Sequence, residues 1–343
     1  MAIRKPIPFT ELIAALLDES TPFSPRYLQR LSDLEPDDAS ILAENWTKVS
    51  PRRRQALLEE MEETHIEDDL LSFEEVARIA LNDSEPSVRQ HAIHILREYE
   101  LVDLLPIFIS MSEQDPDAEV RAASAAALAT YIYMGEVEDI APQKLLTVEE
   151  CLLRLTSGSD STLVRRRALE ALGFSSRKEV APLIESAYAS PEFDWLVSAL
   201  FAMGRSANSR WKPQVLEMLD HPHPPVRAEA ASAAGELEIK AAVPKLLELL
   251  EDADIDVRMA SIWALSQVGG QGVRSALEEM LETSEFDAET IQIENALENL
   301  EFTEEMQDLA LMDIPENGDD ADESSEFDYD DDIEELYSED EED

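Results

Sequence analysis

Glycine, cysteine and cationic side chains are all scarce in this chain of 343 residues. Nine glycines fall far below ordinary usage and disfavour a fold that depends on many tight turns, such as a sandwich or barrel of strands. The single cysteine, Cys151, excludes an intramolecular disulfide framework and fits a reducing compartment. Lys and Arg number 27 against 77 Asp and Glu, a formal net charge of −50. Anions in such excess repel a polyanion, which excludes a protein that coats nucleic acid directly. The N-terminal apolar run Leu12 to Leu17 is too short to span a bilayer, lacks a small-residue cleavage site and ends at Asp18 and Glu19. Aromatics are few, at 6% of residues, while Ala and Leu are many and 44% of the chain is apolar. That composition supports a sizeable helical core in a soluble, cytoplasmic protein with no membrane association.

What is present is a repeat. With Val88, Val120, Val164, Trp195, Val226 and Val257 as position 0, the intervals are 32, 44, 31, 31 and 31 residues. Position +1 is Arg89, Arg121, Arg165, Leu196, Arg227 and Arg258, and position +4 is always Ala or Ser. Position +7 is Ala in every copy except the first, where it is Ile95. At 100° per residue, positions 0, +4, +7, +8 and +11 share one helical face, and small residues on it allow a neighbouring helix to come close. A second apolar segment precedes each such helix, for instance 242–250, and polar loops rich in Asp, Ser and Pro join the two. Those loop residues suit helix starts. Gly173, Gly204, Gly235 and Gly269 fall where the second helix is expected to end, and glycine is favoured at helix C-caps. The pattern predicts an array of helical hairpins.

The order Asp or Ser, Val-Arg, Ala, Ala-Leu-Gly in "SDSTLVRRRALEALG" and "HPPVRAEAASAAGELE" resembles the HEAT repeats, in particular the short bacterial HEAT-like class also found in phycobilisome lyases. The resemblance covers roughly residues 73 to 302 and implies an all-α fold, an α-α superhelix or solenoid. It implies little about activity, because the same repeats serve scaffolds, lyases and nucleic-acid enzymes. It also implies that the +1 arginines, Arg89, Arg121, Arg165, Arg227 and Arg258, form a structural ladder that stitches each repeat to the next through loop carboxylates. Repeat four departs, with Trp195 and Leu196 in the Val and Arg places.

Residues 1–72 are helical by pattern but outside the frame and read as a divergent N-terminal cap. Residues 73–312 read as the repeat solenoid with its own C-terminal cap around Ile291 to Leu300. The 44-residue interval implies about 12 extra residues near Met134 to Thr147, expected as a longer surface connection. The segment 313–343 carries 18 acidic residues in 31, too few apolar groups to offset chain entropy, and is expected to be a disordered acidic tail.

Few residues of the chain are arranged for catalysis or ligation. None of the five histidines is followed by Glu, so the His-Glu pairs of di-iron HEAT hydroxylases are absent. His91 and His94 stand at i and i+3, where two rings can face one ion, but no third ligand is apparent and no metal or other cofactor is expected. No phosphate-cradling glycine loop, nucleophile elbow or HExxH is present. Cys151 lies in an apolar helical stretch and reads as a buried hydrophobe. These absences point away from an enzyme.

The sharpest local signal is at +2 and +6, which point away from the buried face and in a HEAT solenoid line the concave surface. Repeats four to six place apolar or small residues there, among them Val197, Phe201, Met259 and Trp263. Exposed aromatic and Met side chains rimmed by charge are typical anchors for a partner. Phe327, Tyr329 and Leu336 of the tail are further candidate partner-binding residues, and the alternative is that they, or the chain's own loops, cover the patch. The expected function is a non-enzymatic scaffold that grips a segment of another protein, a basic one being favoured by the net charge. A cofactor-handling protein like the phycobilisome lyases, or an acidic mimic of nucleic acid that binds basic proteins, are the alternatives.

Overall fold

The computed structural model describes residues 7–67, 70–284 and 286–312; the tail and its Phe327, Tyr329 and Leu336 lie outside them. Among the described residues every regular element is helical. The first four α-helices are α1 (Phe9–Leu17), α2 (Leu28–Leu31), α3 (Pro36–Trp46) and α4 (Pro51–Glu67). Six hairpins follow: α5 (Glu74–Ala80) with α6 (Pro86–Leu96), α7 (Leu105–Gln114) with α8 (Ala118–Glu136), α9 (Pro142–Ser157) with α10 (Thr162–Ala171), α11 (Val180–Tyr188) with α12 (Phe193–Arg205), α13 (Lys212–Met218) with α14 (Pro224–Glu236), and α15 (Val243–Leu249) with α16 (Ile255–Val268). The last pair is α17 (Val273–Thr283) and α18 (Asp287–Met312). Residues Met1–Leu300 form one compact unit, and Glu301–Asp343 group separately.

Within the first unit, α4 and then the helices that carry the Val-Arg frame pack side by side in chain order, α4 on α6, α6 on α8, and so on to α14 on α16. The small residues make this close stacking possible. Ala92, Ser124, Ala168, Ala199, Ala230 and Ser261, all at +4, are fully buried, as are the +8 residues Leu96, Leu128, Leu172, Met203, Ala234 and Leu265. A larger side chain at +4 would hold the layers apart and forfeit dispersion contacts along both helices. Caps form where the loops predict them. Asp117 accepts hydrogen bonds from the amides of Glu119 and Val120, Ser161 from Val164, and Asp254 from Asp256 and Val257. Pro86 and Pro224 open α6 and α14, where the missing N–H costs nothing.

Two expectations are corrected. The extra residues between repeats two and three lengthen α8 to 19 residues and α9 to 16, leaving only a short connection between them. The continuous apolar and alanine spacing from Val120 to Met134 keeps the longer helix packed. All four glycines fall at helix ends as expected, but Gly204 and Gly235 are the next-to-last residues of α12 and α14 and Gly173 lies in the turn that closes α10, so only Gly269 is a C-cap with a positive φ, at 64°. The other three instead sit at +9 against the +7 residue of the next repeat. A Cβ on Gly173 would lie 2.9 Å from Cα of Ala202, on Gly204 3.1 Å from Cα of Ala233, and on Gly235 2.9 Å from Cα of Ala264. These glycines set the distance between repeats. The left-handed turns after second helices fall to Glu100, Glu138, Ala207 and Glu238, with φ of 52°, 66°, 51° and 48°.

Candidate functional site

The arginine at +1 forms the stitch between repeats. Its Nη1 donates to carbonyls of its own loop, and its Nε and Nη2 reach a carboxylate one repeat further on. Arg89 bonds the carbonyls of Asp83 and Ser84 and grips Asp115 at 2.8 and 2.7 Å. Arg121 repeats this with Asp160, and Arg227 with Asp252. Arg258 ends the series on Glu289, at 2.7 Å. Planar guanidinium forks match carboxylates in two parallel bonds, so the geometry fixes repeat orientation as well as adding energy. Asp160 and Asp252 are held below the usual carboxylate range, first by their hydrogen bonds to Arg121 and Arg227. The ladder begins one repeat earlier than the sequence frame, since Arg54 on α4 meets the buried Asp83 at 3.0 Å, with Trp46 Nε1 donating to the same carboxylate at 2.6 Å.

The ladder is interrupted at repeats three and four. Arg165 donates to the carbonyl of Thr156 at 3.1 Å and lies over the Trp195 ring at 5.3 Å, while Ser190 occupies the loop place held elsewhere by Asp. Trp195 in the Val place and Leu196 in the Arg place accompany this substitution. A cation–π contact replaces a bidentate ion pair there. Arg165 therefore belongs to the ladder by position but not by bonding.

The opposite edges of these helices enclose a trough of about 960 Å³. Its floor is small, with Ala122, Ala126 and Ala129, and its wall carries Tyr133, Phe174 and Phe201. Tyr133 and Phe174 meet edge-on at 5.7 Å, and the Arg205 guanidinium sits 5.4 Å from Phe174 and 5.3 Å from Phe201. Arg97 and Arg167 add two further cations in a chain otherwise dominated by carboxylates. Phe201 and Arg205 also border a second cavity of about 400 Å³ that contains Trp263 and Glu229.

Of the four described patch residues, Phe201 and Trp263 are brought together, both half-buried, on this second cavity. Val197 and Met259 are half-buried against the core and do not line it. Most of the trough lies on repeats one to four, nearer the N-terminus than the sequence patch. Tyr133 and Phe174 escaped notice because they lie at +13 and +10, beyond the positions the repeat frame compares.

Glu229 is the strongly perturbed acid of the second cavity. Burial, and then the nearby Glu170 carboxylate, push it up to about 7, against the opposing pull of Arg205 and Arg167, with Glu236 adding to the rise. A raised carboxyl stabilises the folded state least when ionised. Stability is therefore expected to fall as pH climbs from about 4.5 to about 7, because the unfolded chain releases that proton first. Glu229→Gln should raise stability by ~1–3 kcal/mol at pH 8, with the gain shrinking toward pH 5. Urea midpoints at the two pH values check this, and an equal gain at both would remove the assignment.

Two other chemical candidates resolve differently. Cys151 is fully buried beside Ser112 Oγ at 3.6 Å, and burial raises its thiol to about 11, so it stays protonated and unreactive at neutral pH. His91 and His94 on α6 both turn Nδ1 toward one carboxylate, that of Glu62 on α4, at 2.6 and 3.0 Å. Burial lowers the pKa of His94, against the opposing pull of the Glu62 carboxylate. Glu62 lies 29 residues before His91, outside the frame and one acid among many, so spacing alone could not single it out.

The profile of the family described as HEAT repeats matches residues 73–147 and 212–298. No curated protein sequence matches the chain. Among solved structures, the CpcE–CpcF complex of phycocyanin lyase from Nostoc sp. PCC7120 is similar over 66% of this chain and 94% of that one, at 19% identity and a TM-score of 0.46. Human deoxyhypusine hydroxylase is similar over 86% of this chain and 96% of its own, at 19% identity and a TM-score of 0.38. No described helix is long and apolar enough to cross a membrane.

Proposed function

We propose that this chain, which is a HEAT-repeat protein, is a non-enzymatic scaffold whose trough holds a helical or extended segment of another protein. The observation that carries the reading is the trough itself, with an alanine floor beneath Tyr133, Phe174 and Phe201. A floor of small residues leaves room for a second backbone. Rigid aromatic walls supply contact area at low entropic cost, and Arg205, held beside two rings and paired through Nη1 with Glu236 at 3.0 Å, is a preorganised cation. The mixed charges of the rim, Arg97 and Arg167 against Glu98 and Glu119, suit an amphipathic partner better than a uniformly basic one. The strong net negative charge at longer range accelerates encounter with a basic partner and sets the salt dependence of its arrival.

The test compares the intact chain, Phe201→Asp together with Tyr133→Asp, and Leu146→Asp on the first-layer helix α9 as a control for an altered surface. Each is used for affinity capture from host lysate. At least a tenfold loss of the co-purifying proteins with the trough variant alone is expected, as for removal of two anchors. Equal recovery by the trough and control variants would overturn the reading.

A further inference from the structure

We propose that Glu62, His91 and His94 form a binding site for one divalent transition-metal ion of the Zn2+ or Co2+ type. The three side chains come from two adjacent helices of the second layer. His91 and His94 share a face of α6 because residues three apart are neighbours on a helix, and α4 packs against that face. Both imidazoles use Nδ1, and each reaches a different oxygen of one carboxylate, at 2.6 Å from His91 to Oε2 and 3.0 Å from His94 to Oε1. One ligand atom from each residue lies within 4.8 Å of the others. The two rings stand 6.3 Å apart and nearly perpendicular, and both Nδ1 atoms converge on the one Glu62 carboxylate.

A tetrahedral ion with bonds of about 2.0–2.1 Å sets its donors roughly 3.3 Å apart. The donors here, 2.6 and 3.0 Å apart across the two Nδ1–carboxylate contacts and within 4.8 Å of one another throughout, lie close to that spacing. Two imidazoles and one carboxylate select borderline transition ions over Mg2+ and Ca2+, which prefer oxygen ligands throughout. All three side chains are half-buried, at 21%, 27% and 28% exposure. The fourth position is thus open to water. His94 is also part of the trough wall, so the ion sits where its remaining positions meet solvent. The proposal stands independently of the scaffold reading, since metal binding is measured on the chain alone.

The test is a titration of the full-length chain with Co2+, and in parallel with Zn2+, in excess Mg2+ to occupy the many surface carboxylates. One equivalent of Co2+ should bind with intense visible d–d absorption, the mark of low-coordinate imidazole ligation. His91→Ala, His94→Ala and Glu62→Gln should each weaken binding by more than the roughly 10–100-fold that loss of a supporting residue costs. His221→Ala should leave it unchanged. Far-UV circular dichroism checks that each variant is folded. His94→Cys should keep the site and add a thiolate-to-Co2+ charge-transfer band, which decides the matter even where the alanine variants fold poorly. No intense band in the intact chain, a band unaffected by all three substitutions, or no new band in His94→Cys would overturn the site.

Discussion

Replacing Arg89 by alanine is expected to cost about 3–5 kcal/mol, the range for removing one partner of a buried ion pair. Arg89 and Asp115 are 10% and 7% exposed, so neither charge finds compensating water when the other is removed. The loss goes beyond Coulomb energy. Asp115 keeps its bond from the amide of Asp117 but loses two charge-assisted donors, and the carbonyls of Asp83 and Ser84 lose theirs. Arg89→Lys should recover only part of this, since an ammonium cannot span two carboxylate oxygens and two carbonyls. The ladder supplies its own controls. Arg121 and Asp160 are 18% and 22% exposed, so Arg121→Ala should cost less, and Arg165→Ala, with no carboxylate to abandon, about 1 kcal/mol. In a linear array the damage is local, because each repeat contacts only its neighbours. Urea unfolding followed by hydrogen exchange should show α5 and α6 opening ahead of the later repeats. Equal costs at Arg89 and Arg165 would contradict the ladder.

Period and local chemistry made the fold readable before any coordinates. The +4 residues predicted to let helices approach are fully buried in all six copies, and Asp117, Ser161 and Asp254 cap α8, α10 and α16 from their loops. Hidden were the relations between positions far apart in the chain. Arg54 does the ladder's work with Arg53 in the place of the frame's Val, so a search keyed to Val-Arg passes over it. The 44-residue interval gave the number of extra residues but not their conformation. Helices α8 and α9 absorbed them because the added turns continue an apolar face. The trough was half legible. Phe201 and Trp263 follow from helical geometry, whereas Tyr133 owes its place to that same extension of α8. Glu62 joins two histidines only once α4 is laid against α6.

The glycines at +9 give the other large effect, and there a local rule misled. A helix-ending glycine tolerates alanine poorly because its φ is positive, yet Gly235 has ordinary helical backbone inside α14. Judged on propensity alone, alanine or valine there would be neutral or favourable. The packing predicts the opposite. A Cβ at 235 would lie 2.7 Å from Trp263 Cζ3 and 2.9 Å from Cα of Ala264, so α14 and α16 must separate or Trp263 must turn. Gly235→Val should therefore cost about 3 kcal/mol, the upper part of the overpacking range. Trp263 fluorescence should shift as its ring is driven into the cavity it shares with Phe201. Adding Trp263→Ala separates the two contacts, since the flexible obstacle is then gone and the Ala264 backbone remains. The double variant should recover part of the loss measured against Trp263→Ala alone, with a coupling of about 1 kcal/mol. Full recovery would place the whole clash on the indole ring, and no recovery would place it on the helix backbone. A stable Gly235→Val with an unshifted emission spectrum would mean that the repeats are not held at this distance.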